Sequence, residues 1–138
     1  MHPRKGKVMV WVNLVTLCAL IEYFVFSALV GKARVKYGVK APATTGNAEF
    51  ERYFRVQQNT LELLILFVPC LWIAAQYWNP AAMAAIGAVY VLGRIVYFRG
   101  YVSAPAARHN GFMLSIWPVA ILLIAGVAGV AWALIPHS

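Results

Sequence analysis

The stretch Leu61-Glu62-Leu63-Leu64-Ile65-Leu66-Phe67-Val68-Pro69-Cys70-Leu71-Trp72-Ile73-Ala74-Ala75-Gln76-Tyr77-Trp78, then Asn79-Pro80, then Ala81-Ala82-Met83-Ala84-Ala85-Ile86-Gly87-Ala88-Val89-Tyr90-Val91-Leu92-Gly93-Arg94-Ile95-Val96-Tyr97-Phe98 decides the fold. Two apolar runs, each long enough to cross most of a hydrocarbon layer of ~30 Å at ~1.5 Å per residue, are separated by a single turn. Neither run alternates apolar with polar residues, and backbone groups in lipid must be paired within their own segment. Both therefore read as transmembrane helices, not strands. Pro80 stands where a proline opens a helix, because its missing N–H has no partner there in any case.

Working outward, a third apolar block runs from about Val8 to Val30 and a fourth from Phe112 to Ile135. With the central spans at about 61–78 and 81–98, residues 1–138 form one all-α domain, an integral membrane four-helix bundle. Composition agrees. Of 138 residues, 62% are hydrophobic and 12% charged, with mean hydropathy +0.71. Soluble domains run at roughly 45–50% apolar and about 25% charged, so a soluble enzyme, a disordered chain and a secreted disulfide scaffold are all excluded. Cys18 and Cys70 each lie inside an apolar block and read as small buried hydrophobes. The first block is too long for a secretory signal, contains Glu22 and is followed by no small-residue cleavage site, so it is read as a retained helix.

The basic excess is large: 12 Lys+Arg against 4 Glu and no Asp, a net charge of +8. In a soluble chain this would suggest nucleic acid. Here the basic residues lie between apolar blocks, where they mark topology beside membrane lipid and offer a place for an anionic ligand; no nucleic-acid partner is expected. Lys32, Arg34, Lys36, Lys40, Arg52, Arg55, Arg99 and Arg108 flank the first and third connections, against Arg4, Lys5 and Lys7 on the other side. The positive-inside rule then places both basic connections in the cytoplasm and both termini across the membrane. The first connection contains the loop Ala41-Pro42-Ala43-Thr44-Thr45-Gly46-Asn47. Asn47 is placed to cap a helix that starts near Ala48-Glu49 and continues into the second span.

A charge at mid-bilayer costs at least ~2.5–3.5 kcal/mol, so ionisable residues in the spans need a reason to be there. Arg55, Asn59 and Glu62 are spaced i, i+4, i+7 and share a helix face. A cation, an amide and a carboxylate in one column can grip a zwitterion, or can tie helices together. Arg94, Tyr97 and Tyr101 form a second column at i, i+3, i+7, which serves either a ligand or an interfacial belt of aromatic rings and arginines. Arg108 follows seven residues later, by itself one more loop cation. Glu22 should face protein and pair with a basic residue of another helix. His2, His109 and His137 form no cluster, and no metal site is expected.

Glu51-Arg52-Tyr53-Phe54-Arg55-Val56-Gln57-Gln58-Asn59-Thr60-Leu61-Glu62 together with Arg94-Ile95-Val96-Tyr97-Phe98-Arg99-Gly100-Tyr101 resembles the MAPEG family, the membrane-associated proteins in eicosanoid and glutathione metabolism. Glu51, Arg52, Arg55, Asn59 and Glu62 match its E-R-x-x-R-x-x-x-N-x-x-E hallmark; Arg94, Tyr97 and Tyr101 match its R-x-x-Y-x-x-x-Y element. The resemblance spans essentially residues 8–135.

It implies a homotrimer of four-helix subunits with glutathione held as co-substrate near the cytosolic face. Arg34, Arg55, Gln57, Asn59, Glu62, Arg94, Tyr97 and Tyr101 are the implied glutathione-binding residues, and Arg108 the catalytic arginine that stabilises the thiolate. The implied reaction is conjugation of glutathione to a lipophilic electrophile, extending to reduction of lipid hydroperoxides; the location expected for this chain is a bacterial inner membrane. Leu63 and Val35 stand where eicosanoid-specific members carry a tyrosine and a second arginine. Two other readings stand beside this one. A non-enzymatic lipid-binding member would lack the complete glutathione set; a small transporter would use Glu22 or Glu62 as its coupling carboxylate.

Overall fold

The computed structural model describes residues 8–103 and 105–137, with the side chains of residues 105–107 left aside. Four helices follow one another: α1 (Val10–Tyr37), α2 (Ala48–Tyr77), α3 (Pro80–Ser103) and α4 (Pro105–Leu134). All four contain windows long and apolar enough to span a membrane. The helices outrun the apolar blocks. α1 continues past Val30 to Tyr37, α2 begins well before Leu61, α3 continues past Phe98, and α4 starts ahead of Phe112. Hydropathy marks the hydrocarbon thickness, whereas a helix that satisfies its own backbone can continue into the aqueous boundary.

Local chemistry fixes the ends. Gly38 adopts φ +69°, in the left-handed region that costs a glycine nothing, and returns its N–H to the Arg34 carbonyl to close α1. Asn47 Oδ1 accepts from the Glu49 and Phe50 amides at 3.0 and 2.9 Å, capping α2, while Glu49 and Glu51 lie in the first turn against the positive end of the helix dipole. Asn79 Oδ1 accepts from the Ala81 and Ala82 amides at 2.9 and 3.2 Å, with Pro80 at the first helical position. The hairpin read from Asn79-Pro80 is thus capped by the asparagine and opened by the proline.

α2 and α3 form the centre, and α1 and α4 each pack against both. The core is built from Phe67, Leu71, Tyr90, Leu122 and their neighbours; the Phe67 and Tyr90 rings stack at 3.9 Å. α3 and α4 approach closely enough that a Cβ on Gly93 would lie 2.7 Å from the Leu114 backbone carbon, and one on Gly111 would strike the Tyr97 backbone. Small residues at a membrane helix interface permit this approach, and backbone-to-backbone packing is what holds helices together where lipid is as apolar as leucine.

The outer surface is apolar instead of polar: Phe24 is 74% exposed, Ile65 67%, Leu92 61% and Ile124 67%. Such a surface is compatible only with an apolar solvent, so the chain is an integral membrane protein. Cys18 corrects one expectation, since it is exposed on the outer face of α1; Cys70 is half-buried. Pro69 and Pro118 lie inside α2 and α4.

Candidate active site at the basic end of the bundle

The end of the bundle that carries the α1–α2 loop also carries most of the singled-out polar residues, and Arg94 is their anchor. It is fully buried. Its Nε donates to Ser115 Oγ at 2.9 Å from α4, and its Nη1 donates to Asn59 Oδ1 at 2.7 Å and Thr60 Oγ1 at 3.3 Å from α2. Ser115 in turn donates to the Gly111 carbonyl at 2.7 Å, which leaves its oxygen lone pairs for the guanidinium. Arg94 therefore clamps three helices together. Such charge-assisted bonds are strong, and bulk water does not compete for them at a fully buried guanidinium.

From this anchor a ladder climbs toward the boundary. Arg94 Cζ lies 4.2 Å from the Tyr97 ring centroid, the Tyr97 and Tyr101 rings are 5.5 Å apart, and Arg108 Cζ lies 5.2 Å from the Tyr101 ring. The i, i+3, i+7 spacing on α3 produces the column, and α4 contributes its last rung. Alternating cations and rings support one another through the rings' negative faces. Arg108 at the top is exposed. Glu62 and Arg108 both come within electrostatic range of the Tyr97 hydroxyl.

A second polar surface lies beside the first. Thr44 and Thr45 of the loop and Glu51, Arg55 and Glu62 of α2 line a crevice of about 240 Å³. Arg55 and Glu62 are both exposed. The shared face expected for Arg55, Asn59 and Glu62 is realised with a division of labour. At ~100° per residue Asn59 lies about 40° to one side of Arg55 and Glu62 about 20° to the other. That rotation turns Asn59 inward to Arg94 and leaves the two charged residues for the crevice.

Gln57 is turned the other way, by about 200° from Arg55, and donates from Nε2 to Ser27 Oγ on α1 at 3.0 Å. Arg34, at the end of α1, donates through Nη1 to the Ala43 carbonyl at 2.6 Å and the Val39 carbonyl at 3.5 Å, with its guanidinium 4.8 Å from the Phe50 ring. In the single chain it braces the loop that brings Thr44 and Thr45 to the crevice. Within one subunit, then, Arg55 and Glu62 share the crevice, Asn59, Arg94, Tyr97, Tyr101 and Arg108 form the clamp and ladder, and Gln57 and Arg34 stand apart, Gln57 on Ser27 of α1 and Arg34 on the α1–α2 loop.

Sequence reasoning missed Thr44, Thr45, Thr60 and Ser115. Ser115 was visible as a lone hydroxyl within an apolar run, but its partner is 21 residues away and only packing reveals it. Among the described residues no three His, Cys, Asp or Glu side chains converge as metal ligands. The donor set suits a zwitterionic, multiply anionic ligand: cations for carboxylates, and the Glu62 carboxylate for an ammonium.

The family model for the MAPEG family matches residues 12–128. Human microsomal glutathione S-transferase 2 is 43% identical over 117 residues, covering 85% of this chain and 80% of that protein. Guinea-pig (Cavia porcellus) leukotriene C4 synthase is 35% identical over 124 residues, covering 90% of this chain and 83% of the synthase. An uncharacterized protein of Synechocystis is 46% identical over 126 residues, covering 91% of this chain and 92% of its own length.

Proposed function

This chain belongs to the MAPEG family, and from that premise we propose that it is a membrane glutathione transferase, which holds glutathione as its thiolate and adds it to lipophilic electrophiles. The observation that carries the reading is the ladder from Arg94 through Tyr97 and Tyr101, which ends in the exposed guanidinium of Arg108. A cysteine thiol with a pKa near ~8.5 is mostly protonated at neutral pH, and a fixed cation beside the sulfur favours its nucleophilic form. Arg108 is the catalytic cation on this reading.

Glutathione carries two carboxylates and one ammonium. Arg55 and the N–H groups of Arg34 beyond Nη1 would take carboxylates, and Glu62 the ammonium; Gln57 and Asn59 complete the polar lining, and Tyr97 and Tyr101 wall the sulfur off from lipid. Because Gln57 and Arg34 face away from the ladder within one subunit, the full set is completed in a homotrimer, where neighbouring subunits supply the two halves. The site faces the cytoplasm, where the basic connections belong, and the protein resides in a bacterial inner membrane.

In the reaction the thiol proton leaves to solvent and the sulfur lone pair attacks the electrophilic carbon. The new C–S bond displaces the leaving group with its electron pair. With a lipid hydroperoxide the same thiolate would attack the terminal peroxide oxygen, breaking the O–O bond to release the lipid alkoxide, which takes a proton to become the alcohol, and to leave glutathione sulfenic acid; a second glutathione then displaces its hydroxyl as water and forms the disulfide. Substrate enters from the bilayer, so its recognition is mainly apolar. The test uses purified protein in lipid nanodiscs with glutathione and 1-chloro-2,4-dinitrobenzene. Release of chloride with formation of the dinitrophenyl conjugate above the uncatalysed rate is expected. A rate equal to the uncatalysed one, with no saturable glutathione binding, would overturn the proposal.

A further inference from the structure

Among the described residues, four buried polar atoms have no hydrogen-bond partner: both carboxylate oxygens of Glu22, the Tyr90 hydroxyl and Nη2 of Arg94. The Glu22 side chain is 8% exposed and the other two are fully buried. They are not scattered. α1 and α3 run in the same direction, and their contacts keep one register: a Cβ on Gly87 would lie 2.9 Å from Val15, and the Phe26 and Phe98 rings stack at 5.2 Å. Both pairs are 72 residues apart in sequence, and so are Glu22 and Arg94. Tyr90 lies one turn before Arg94 on the same face of α3. The three groups sit close enough to influence one another electrostatically.

A carboxylate and a guanidinium nitrogen left bare inside a bundle are each costly, and groups of this kind are retained when something satisfies them. A carboxyl, a hydroxyl and a guanidinium N–H face this space, so the occupant they call for is small and able both to donate and to accept hydrogen bonds. One water would accept from Arg94 Nη2 and from the Tyr90 hydroxyl and donate to Glu22, which is the usual complement of bonds for an internal water. The neighbouring helices are already accounted for: α2 meets Arg94 through Asn59 and Thr60, and α4 through Ser115. Phe67 of α2 stacks on the Tyr90 ring. Among the described residues, Nη2 is the guanidinium nitrogen that these contacts leave without a partner.

We propose that Glu22, Tyr90 and Arg94 enclose a buried water site that ties α1 to the Arg94 clamp, and that Glu22 is the counter-ion and positioning residue of Arg94. With Nε held by α4 and Nη1 by α2, the bridge to Glu22 sets the remaining freedom of the guanidinium on which Tyr97 rests. The enzymatic consequence, and only that part, rests on the transferase reading: a loosened Arg94 shifts the ladder on which glutathione lies.

The test is a double-substitution cycle on the full-length protein in nanodiscs, read by thermal unfolding without glutathione. Glu22→Leu is expected to lower Tm sharply because it removes the partner of Arg94, and to lower it far less when introduced into an Arg94→Met protein, where that interaction is already gone. Additive losses would overturn the proposal, whatever becomes of the transferase reading. Glu22→Gln keeps the shape and guards against a misfolded Leu variant. It is expected to raise the KM for glutathione several-fold with kcat nearly unchanged, and Glu22→Asp to restore part of the binding. An unchanged KM in a Glu22→Gln protein that turns over normally contradicts the positioning role.

Discussion

Replacing Ser115 with alanine tests the Arg94 clamp at its least conspicuous contact. The hydroxyl accepts a 2.9 Å bond from a fully buried guanidinium and donates at 2.7 Å to the Gly111 carbonyl. Hydrogen bonds to charged groups contribute about 1.5–3 kcal/mol, and at a fully buried guanidinium bulk water does not replace the lost acceptor. Against this, the Gly111 carbonyl keeps its helix partner, so little is lost there. The net cost should be about 2 kcal/mol, which in a chain of this length corresponds to a Tm lower by roughly 6–10 °C. Thermal unfolding in nanodiscs, followed by tryptophan fluorescence, measures it directly. Asn59→Ala removes a second contact to the same guanidinium, so the pair should be non-additive by about 0.5 kcal/mol or more. A Ser115→Ala protein within about 0.5 kcal/mol of the parent, or strictly additive effects of the two substitutions, would refute the clamp.

Arg108→Ala should cut conjugation at pH 7 by about tenfold for each unit by which the bound thiol returns toward its free pKa near ~8.5, and the rate should recover as pH rises above that value. Arg108→Lys should retain much of the rate; a pH–rate profile identical to that of the parent would remove Arg108 from its role. Gly93→Leu should separate α3 from α4, because even a Cβ there meets the Leu114 backbone at 2.7 Å. Loss of the folded bundle on size-exclusion chromatography is expected, and an intact, equally stable protein would mean that this interface is more open than described.

The elements legible in the sequence were those whose causes are local. Asn47 and Asn79-Pro80 announce helix starts because their side chains and ring act within three residues, and the structure shows both caps. The four spans are written in long, predominantly apolar runs. The Arg94–Tyr97–Tyr101 column follows from helical spacing alone, and the stacked rings are its realisation.

What could not be read depends on partners distant in sequence. Spacing put Arg55, Asn59 and Glu62 on one face, but only the packing of α3 against α2 decides that Asn59 turns inward to Arg94. Arg34 carries the same charge whether it meets a ligand or braces the Ala43 carbonyl, and the loop decides. Glu22 was legible as a residue that had to face protein. That it would meet Arg94 and Tyr90 without a direct bond was not, because it depends on the parallel register of α1 and α3. Cys18 was misjudged for a related reason: in a membrane protein an apolar neighbourhood in sequence does not distinguish the core from the lipid face.

The central claim is that the basic end of this bundle binds glutathione and holds its sulfur deprotonated at neutral pH. An ultraviolet difference spectrum recorded on adding glutathione to the protein in nanodiscs reports the thiolate directly. The account predicts a saturable thiolate band at pH 7 that is absent with S-methylglutathione and greatly reduced in Arg108→Ala. Saturable binding of glutathione without any thiolate band, or a band undiminished in Arg108→Ala, would contradict it.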